Sequence, residues 1–339
     1  MAYILPATGT TGVSGEGYGF EKAIANFAIR AVHESQGLVN MTTVVAPTQG
    51  NQFEIPLFAP ITYGDYTPNN NSTGNTLQLE QNPTLGQSTI SATPAVAATA
   101  FDIFYGWTTA FNLAAALGSE LGDSFAEKVD QRVAGAFTGF KATANNTNYT
   151  TSANGDGFER PSALGAVTLL RSSGNSITNA AFEANTVLGA IRLVKQNFKV
   201  ARLPGAPVIV LDTDTTMNRL LSELTGGAVA EPGTTTGGTN LSMLGNELLQ
   251  SGEIQNVYGC RIMFSTFLPY SNARVAGSTV CKVGAYFTDQ AIYTVMKQGL
   301  DIKMGEKPGG LQMWLTGVGY FGSGVADQRR GGAINIALA

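Results

Sequence analysis

Leu117, Leu121, Phe125, Val129, Val133 and Phe137 recur at strict four-residue spacing. An α-helix turns once in about 3.6 residues, so each step of four advances about 40° beyond a full turn and five steps rotate the line by about 200°. The apolar line therefore winds around the helix instead of holding one face. Such a helix touches different partners along its length, whereas an ordinary core helix keeps a fixed apolar face. The spacing predicts a charged helix over 119–140, with Ser119 as N-cap and 102–118 as a short helix or helix-like connector. The stretch 117–140 would reach about 36 Å.

The segments around this helix differ in kind. Residues 1–19 are rich in Gly and Thr and read as a flexible arm, and 20–36 as a helix with Phe20, Ile24, Phe27 and Val32 broadly on one side, stopped by Gly37. Over 41–100, Phe53, Ile55, Leu57 and Ala59 alternate with other positions, and the return stretch TLGQSTISATPAVAATA is extended. Between them lie the turn formers of ITYGDYTPNNNSTGN. This is a long β-hairpin with few apolar residues. An isolated two-stranded hairpin is marginal in water, so it is expected to lie on something else, namely a neighbouring subunit. Then come a polar loop over 142–160, a helix over 178–199, the buried strand PVIVLDT, a helix at TTMNRLLSEL and a second loop at TGGAVAEPGTTTGGT. Six strands close the chain: YGCRIMFS, STVCKVGAYF, AIYTVMK, LDIKMG, LQMWLTGVGYF and AINIAL. The class is α+β, with no internal repeat.

Composition narrows the function. The chain has 339 residues, which at about 150 per domain allows two domains or one large one. Only 13% are charged and 41 are Gly, against about 25% and 7% in ordinary soluble domains. Low charge of this kind suits a surface largely covered by other chains. The net charge of −4, with no basic cluster larger than Arg329-Arg330, argues against specific nucleic-acid binding. The start, MAYILPATGT, lacks a basic segment followed by an apolar run, so no signal peptide is expected and the N-x-S/T matches at Asn71 and Asn148 are read as idle. The uncharged stretch 103–119 is too short and too polar to span a membrane.

Candidate chemistry is sparse. The single histidine, His33, removes most Ser-His-Asp, Cys-His and zinc arrangements and reads as structural. Gly317, Gly319 and Gly322 fit G-x-G-x-x-G, but turn and strand rather than a helix follow them and no acidic residue stands about 20 positions later, so a dinucleotide site is rejected. The sharpest enzymatic lookalike is PVIVL followed by Asp212 and Asp214, similar to the first motif of haloacid-dehalogenase-type phosphatases. That chemistry also needs a lysine and more carboxylates, for which only Lys282 and Asp289 stand isolated downstream. The plainer reading is a helix N-cap, with Asn at either aspartate tolerated. Cys260 and Cys281 read as buried free thiols in a reducing compartment, and Trp107 and Trp314 as packing anchors. No cofactor and no metal is expected.

The order of parts (arm, helix, long polar hairpin, long helix, α/β region, terminal strands) resembles the major capsid proteins of tailed double-stranded-DNA bacteriophages, the Hong Kong 97-like fold. GEIQNVYGCRIMFSTFLP resembles that family's passage of glycine, strand, serine and Leu-Pro, here Gly259, Ser265, Leu268 and Pro269. The ending GLQMWLTGVGYFGSGVADQRRGGAINIALA resembles its closing strands, with Gly322, Val325 and Asp327. The resemblance implies an N-terminal arm at 1–40, an extended loop at 41–100, a peripheral domain with the spine helix at 101–169 and 296–339, and an axial domain at 170–295.

It further implies a structural protein of the virion, not an enzyme, that self-assembles in the host cytoplasm into pentamers and hexamers of an icosahedral shell. A separate scaffolding protein, a portal and a decoration protein are the expected partners, with packaged DNA held only non-specifically and no membrane contact. The alternatives are a phosphatase-like hydrolase using Asp212 and Asp214, and a secreted adhesin or surface-layer protein suggested by the Gly, Asn and Thr content. Some members of the family lock subunits through a lysine on the extended loop, but residues 31–127 contain no Lys or Arg. The loop's charges are Glu54, Asp65 and Glu80. These carboxylates are the inter-subunit contact candidates, with Lys195, Lys199, Arg329 and Arg330 as their basic partners on adjacent subunits.

Overall fold

The computed structural model describes residues 24, 26, 28, 37–47, 50–58, 85–102, 113–142, 164–170, 183–184, 186–201, 203–225, 256–271, 280–306 and 312–338. The winding stripe lies on one helix, α1 (Leu113–Ala136), followed by a 3-10 turn at Phe137–Gly139. At 24 residues it is about 36 Å long. It runs without a break through Ser119, so Ser119 is no N-cap; 113–118 has no proline to stop a helix, and the good helix formers of LAAAL propagate it. The stripe meets two sets of partners. Leu117 and Leu121 pack with Ile24, Ala28, Ile302 and Leu315, and Phe125, Val129, Val133 and Phe137 join the main core.

A four-stranded sheet lies along α1, in the order β1 (Thr43–Val45), β12 (Ile292–Glu306), β13 (Gln312–Val325), β4 (Thr93–Asp102). AIYTVMK and LDIKMG, expected as separate strands, are the single β12, whose register shifts near Gln298 instead of breaking. The G-x-G-x-x-G stretch is the middle of β13. A Cβ on Gly317 would press on Leu121, and one on Gly319 would run into the Phe125 ring, so these glycines let α1 approach the sheet.

The larger sheet runs β6 (Glu183–Ala184), β5 (Val167–Leu169), β14 (Gly331–Ala337), β11 (Cys281–Phe287), β7 (Val208–Asp212), β9 (Cys260–Ser265), β8 (Asn256–Val257), with β10 (Tyr270–Ser271) beside β11. All seven residues of β11 and all seven of β14 are buried. Successive residues point to opposite faces of a strand, and both faces are covered here. Tyr286 stacks edge-on against Phe198 of helix α2 (Val187–Val200), and Phe287 packs against Phe137 beyond α1. Helix α2 starts later than the 178–199 read from sequence: Thr186 is its N-cap, and 183–184 is strand. The helix after β7 opens as a π turn at Thr213–Met217 and continues as α3 (Asn218–Thr225).

Strands β2 (Gln52–Phe58) and β3 (Leu85–Ser91) form the expected antiparallel hairpin. The stretch 41–100 is not all loop, however. β1 pairs with β12 and β4 pairs with β13 in the chain's own sheet, although the described side chains of both strands are exposed or half-buried. The hairpin base rests on this chain, with Ile55, Ile90 and Ala92 buried against Val295 and Ala326. The expected division at 295/296 does not follow the sheets either. β12 runs across it, and β14, at the C-terminal end, pairs in the larger sheet between β5 and β11. The arm 1–23, His33, Trp107, the hairpin tip with Asp65 and Glu80, and the loop 143–160 lie outside the described residues.

Candidate functional site

β7 is an apolar strand of five residues ending in Asp212, and its antiparallel neighbour is β11, paired at Ala285↔Val210 and Phe287↔Val208. That register brings Lys282, at the start of β11, to the end of β7. Its Nζ lies 2.6 Å from Asp212 Oδ1 and 3.2 Å from Asp214 Oδ2, and 5.6 Å from the centre of the Tyr270 ring. Lys282 is therefore not isolated, and the correction has a topological cause: the strand pairing crosses 70 positions of sequence. Asp289 is elsewhere, in the turn after β11, where its carbonyl accepts from Thr43 Oγ1 at 2.6 Å.

The arrangement has the residue types of a phosphoryl-transfer site but not its access. The Asp212 side chain is 0% exposed and that of Lys282 6%, whereas Asp214 is 69% exposed. Asp212 Oδ1 takes the lysine, and Oδ2 accepts from Thr215 N at 3.0 Å and Thr215 Oγ1 at 2.7 Å. Thr216 Oγ1 donates back to the Asp212 carbonyl. A nucleophile needs a free lone pair facing substrate; here the carboxylate is the helix N-cap, as the plainer reading held, with a buried counter-ion added. Burial pulls the Lys282 ammonium toward neutrality, and its bonds to Asp212 and Asp214 outweigh this, so its pKa is raised and it stays charged. Among the described residues no group of three or more His, Cys, Asp or Glu side chains is placed to hold a metal ion.

Cys260 on β9 and Cys281 on β11 are buried and free, as read, and burial pushes the Cys260 thiol up. Trp314 is an anchor only in part: it is more than a third exposed, and its ring covers Gly305. The family-like phrases have local reasons. Tyr258 and Gly259 both have positive φ and make the two-residue turn between β8 and β9, closed by Lys195 Nζ donating to the Tyr258 carbonyl. Asp327 holds Arg329 Nε at 2.8 Å and Arg330 Nε at 3.5 Å. Of the contact candidates, Glu54 and Lys199 are exposed, Lys195 is engaged as above, and the two arginines share Asp327 within the chain.

One buried group escaped the sequence reading. Asp130 of α1 accepts from three successive amides, Gly37 N at 3.2 Å, Leu38 N at 3.2 Å and Val39 N at 3.3 Å, and so ties the chain entering β1 to the long helix. Desolvation raises its pKa, although all three bonds act to lower it. The signal was present in the stripe: by Val133 and Phe137 the apolar line has rotated into the sector that holds position 130.

No family model and no curated protein matches the sequence. Among solved structures, the chain is similar to the capsid of the cyanophage P-SCSP1u, with a TM-score of 0.58 at 17% identity, covering 88% of this chain and 87% of that one. It is similar to the mature capsid of bacteriophage PhiM1, with a TM-score of 0.57 at 15% identity over 98% and 91% of the two chains. It is also similar to the virus-like particle from Pyrococcus furiosus, with a TM-score of 0.51 at 9% identity over 92% and 98%. At these identities the likeness is one of fold. The chain has the α+β Hong Kong 97-like capsid-subunit fold that the order of its parts implied. No helix among the described residues is long and apolar enough to cross a membrane.

Proposed function

We propose that this chain is the major subunit of an icosahedral shell enclosing a phage double-stranded DNA genome, and that its role is structural rather than enzymatic. The observation that carries the reading is the match to capsid subunits over nearly the full length of both chains, 98% and 91% for PhiM1. The closed Asp212 carboxylate supports it, since the phosphatase alternative would need that group open. In this reading the larger sheet with α2 and α3 is the axial domain, and α1 with the four-stranded sheet is the peripheral domain. The β2–β3 hairpin reaches onto the next subunit of a pentamer or hexamer.

Glu54, Asp65 and Glu80 are its contact residues there, and Lys195, Lys199, Arg329 and Arg330 remain basic candidates on neighbouring copies. The shell assembles in the host cytoplasm with a separate scaffolding protein, a portal and a decoration protein, and becomes part of the virion. DNA is held only non-specifically, in keeping with the net charge of −4.

Negative-stain imaging of the purified protein tests the reading, with closed icosahedral particles as the expected result. Boiled in detergent, these particles should give one band near the chain mass of 35.4 kDa, because the loop has no lysine to start a covalent cross-link. A small oligomer with magnesium-dependent phosphatase activity that is lost in Asp212→Asn would refute the proposal.

A further inference from the structure

β4 ends the four-stranded sheet, and among the described residues no strand pairs with its outer edge. Thr93, Pro94 and 96–100 are exposed, and Ala95 is half-buried. The pairing of β4 with β13 is regular from Thr93 to Asp102. In an antiparallel ladder, residues that bond the neighbouring strand alternate with residues whose N–H and C=O turn away from it. A proline has no N–H to donate, so inside a paired strand it stands where the nitrogen faces the open edge. Pro94 thus sets the phase, and Val96, Ala98 and Ala100 turn their backbone groups outward. The same register sets the faces. Gly317, Gly319 and Phe321 of β13 lie under Leu121, Phe125 and Arg132 of α1, and they pair with Ala97, Ala95 and Thr93. Side chains alternate along a strand, so Val96, Ala98 and Ala100 stand on the face away from α1.

Edges of soluble monomers are commonly guarded by charge, but β4 carries none from Thr93 to Phe101. Its two ends do differ in charge. α1 runs opposite to β4, with Leu121 near Ala97 and Arg132 donating to the Thr93 and Pro94 carbonyls at 2.8 and 3.2 Å. Lys128 and Arg132 therefore stand at the Thr93 end, where both line the groove between α1 and β4. No described carboxylate lies within ion-pair distance of either. The other end of the strand is Asp102. A strand basic at one end, acidic at the other and uncharged between is complementary to a reversed copy of itself.

We infer that β4 of one copy of this chain pairs antiparallel with β4 of a second copy, about a two-fold axis through Ala98. The axis stands perpendicular to the sheet. It sets Ala98 opposite Ala98, Val96 opposite Ala100 and Pro94 opposite Asp102 of the second copy. The outward N–H groups of Val96, Ala98 and Ala100 then donate to the carbonyls of Ala100, Ala98 and Val96 across the axis, and the two sheets become one. Parallel pairing would set like ends together. The contact itself needs only two copies, whereas its place in an assembly rests on the shell reading proposed above. Contacts within a five- or six-fold ring are head to tail, and this one is isologous, so in a shell it joins one ring to the next.

Cysteine substitution reads the register. The native thiols, Cys260 and Cys281, are buried. Ala98→Cys places two new thiols on residues directly opposite each other, with about 5.5 Å between Cα atoms, a span that a disulfide bridges. Oxidised after assembly and run on a non-reducing gel, this variant should appear mainly as a linked dimer. Ala100→Cys alone leaves its two copies about 13 Å apart along the strand and should link at least about tenfold less. An equal mixture of Ala100→Cys and Val96→Cys should restore the link. Folded Ala98→Cys protein that associates without linking would overturn the inference, as would Ala100→Cys linking equally well.

Proline substitution reads the phase. Ala98→Pro removes an N–H that the chain's own ladder does not use, so its thermal melt should stay near that of the wild type. Sedimentation velocity should show its assembled fraction lowered by about tenfold, because main-chain bonds supply the affinity of an added strand. Ala97→Pro removes a ladder donor and should melt earlier. Ala98→Pro protein that assembles like the wild type, or that melts as early as Ala97→Pro, would count against the pairing. Closed particles whose Ala98→Cys copies stay unlinked would remove the contact and keep the shell reading. Linked dimers that never build particles would keep the contact and remove the shell reading. Absence of any self-association would remove both.

Discussion

β11 and β4 are both strands of uncharged or nearly uncharged sequence, yet they have opposite surroundings. All seven residues of β11 are buried between neighbours on both edges and elements on both faces, while β4 is the outer strand of its sheet and Val96 on it is 64% exposed. Beside β4 an open apolar groove of about 270 Å³ runs along α1, lined by Ala95, Leu121, Phe125 and Leu300 with Lys128 and Arg132. Both sheets are open, but among the described residues the larger one ends in two-residue strands, β6 and β8, whereas the smaller one ends in the ten-residue β4 beside the groove. Soluble monomers usually protect such edges with charge, and 93–100 carries none. The contrast teaches that strands of similar composition take opposite surroundings, β11 covered on every side and β4 on one edge only, and it makes β4 the place to look for contacts between chains.

The largest expected effect tests that division directly. Leu211→Ala in β7 should cost the unassembled subunit about 2–5 kcal/mol in urea unfolding. Val96→Lys on β4 should stay within about 0.5 kcal/mol while lowering the yield of assembled particles. Equal losses of stability at the two positions would erase the distinction.

A smaller effect separates the two aspartates, which the sequence alone treated alike. Asp212→Asn keeps a helix cap but leaves the buried Lys282 with only the exposed Asp214, and should cost about 3 kcal/mol. Asp214→Asn, at a solvent-facing side chain, should cost less than about 1 kcal/mol. Thermal melts of the two variants measure the gap, and a reversed order would mean that the buried pair is not what holds β7 to β11.

The smallest effect lies at the seam between the arm and α1. Burial raises the Asp130 carboxyl above its ordinary value of 3.8. The folded chain therefore takes up this proton at a higher pH than the unfolded chain. The stabilisation is complete below the unfolded value and is lost as pH rises through the folded one. Stability relative to Asp130→Asn should thus grow as pH is lowered from about 7 to about 4. Urea titrations across that range check the sign, and a difference that shrinks in acid would show that the three amide bonds outweigh burial.

Local pattern revealed a good deal. The four-residue stripe gave the long helix and its change of partners from Ile24 and Leu315 to the main core, because helical rotation is fixed by backbone geometry. Alternation gave β2, and turn formers gave the hairpin. The Asp212 cap followed from a carboxylate standing between a strand and a helix start. The boundary at Ser119 failed because propensity continued through a residue that caps as readily as it propagates. The hairpin was expected to need cover, and its sparse apolar residues Ile55 and Ile90 find it in part on this chain, through long-range packing on Val295 and Ala326 that no local pattern marks.

Sequence by itself determined the α+β class, the long helix, the absence of a loop lysine and the order of parts that implies the capsid fold. These depend on residue type and spacing over a few turns or strands. Only the tertiary structure decided that Lys282 sits on Asp212, that Asp130 grips Gly37 to Val39, and that β14 completes the larger sheet beside β11. Each joins residues tens of positions apart or more. Their meeting is set by strand order and register, which minimise exposed apolar surface and unpaired backbone over the whole chain at once and leave no local mark.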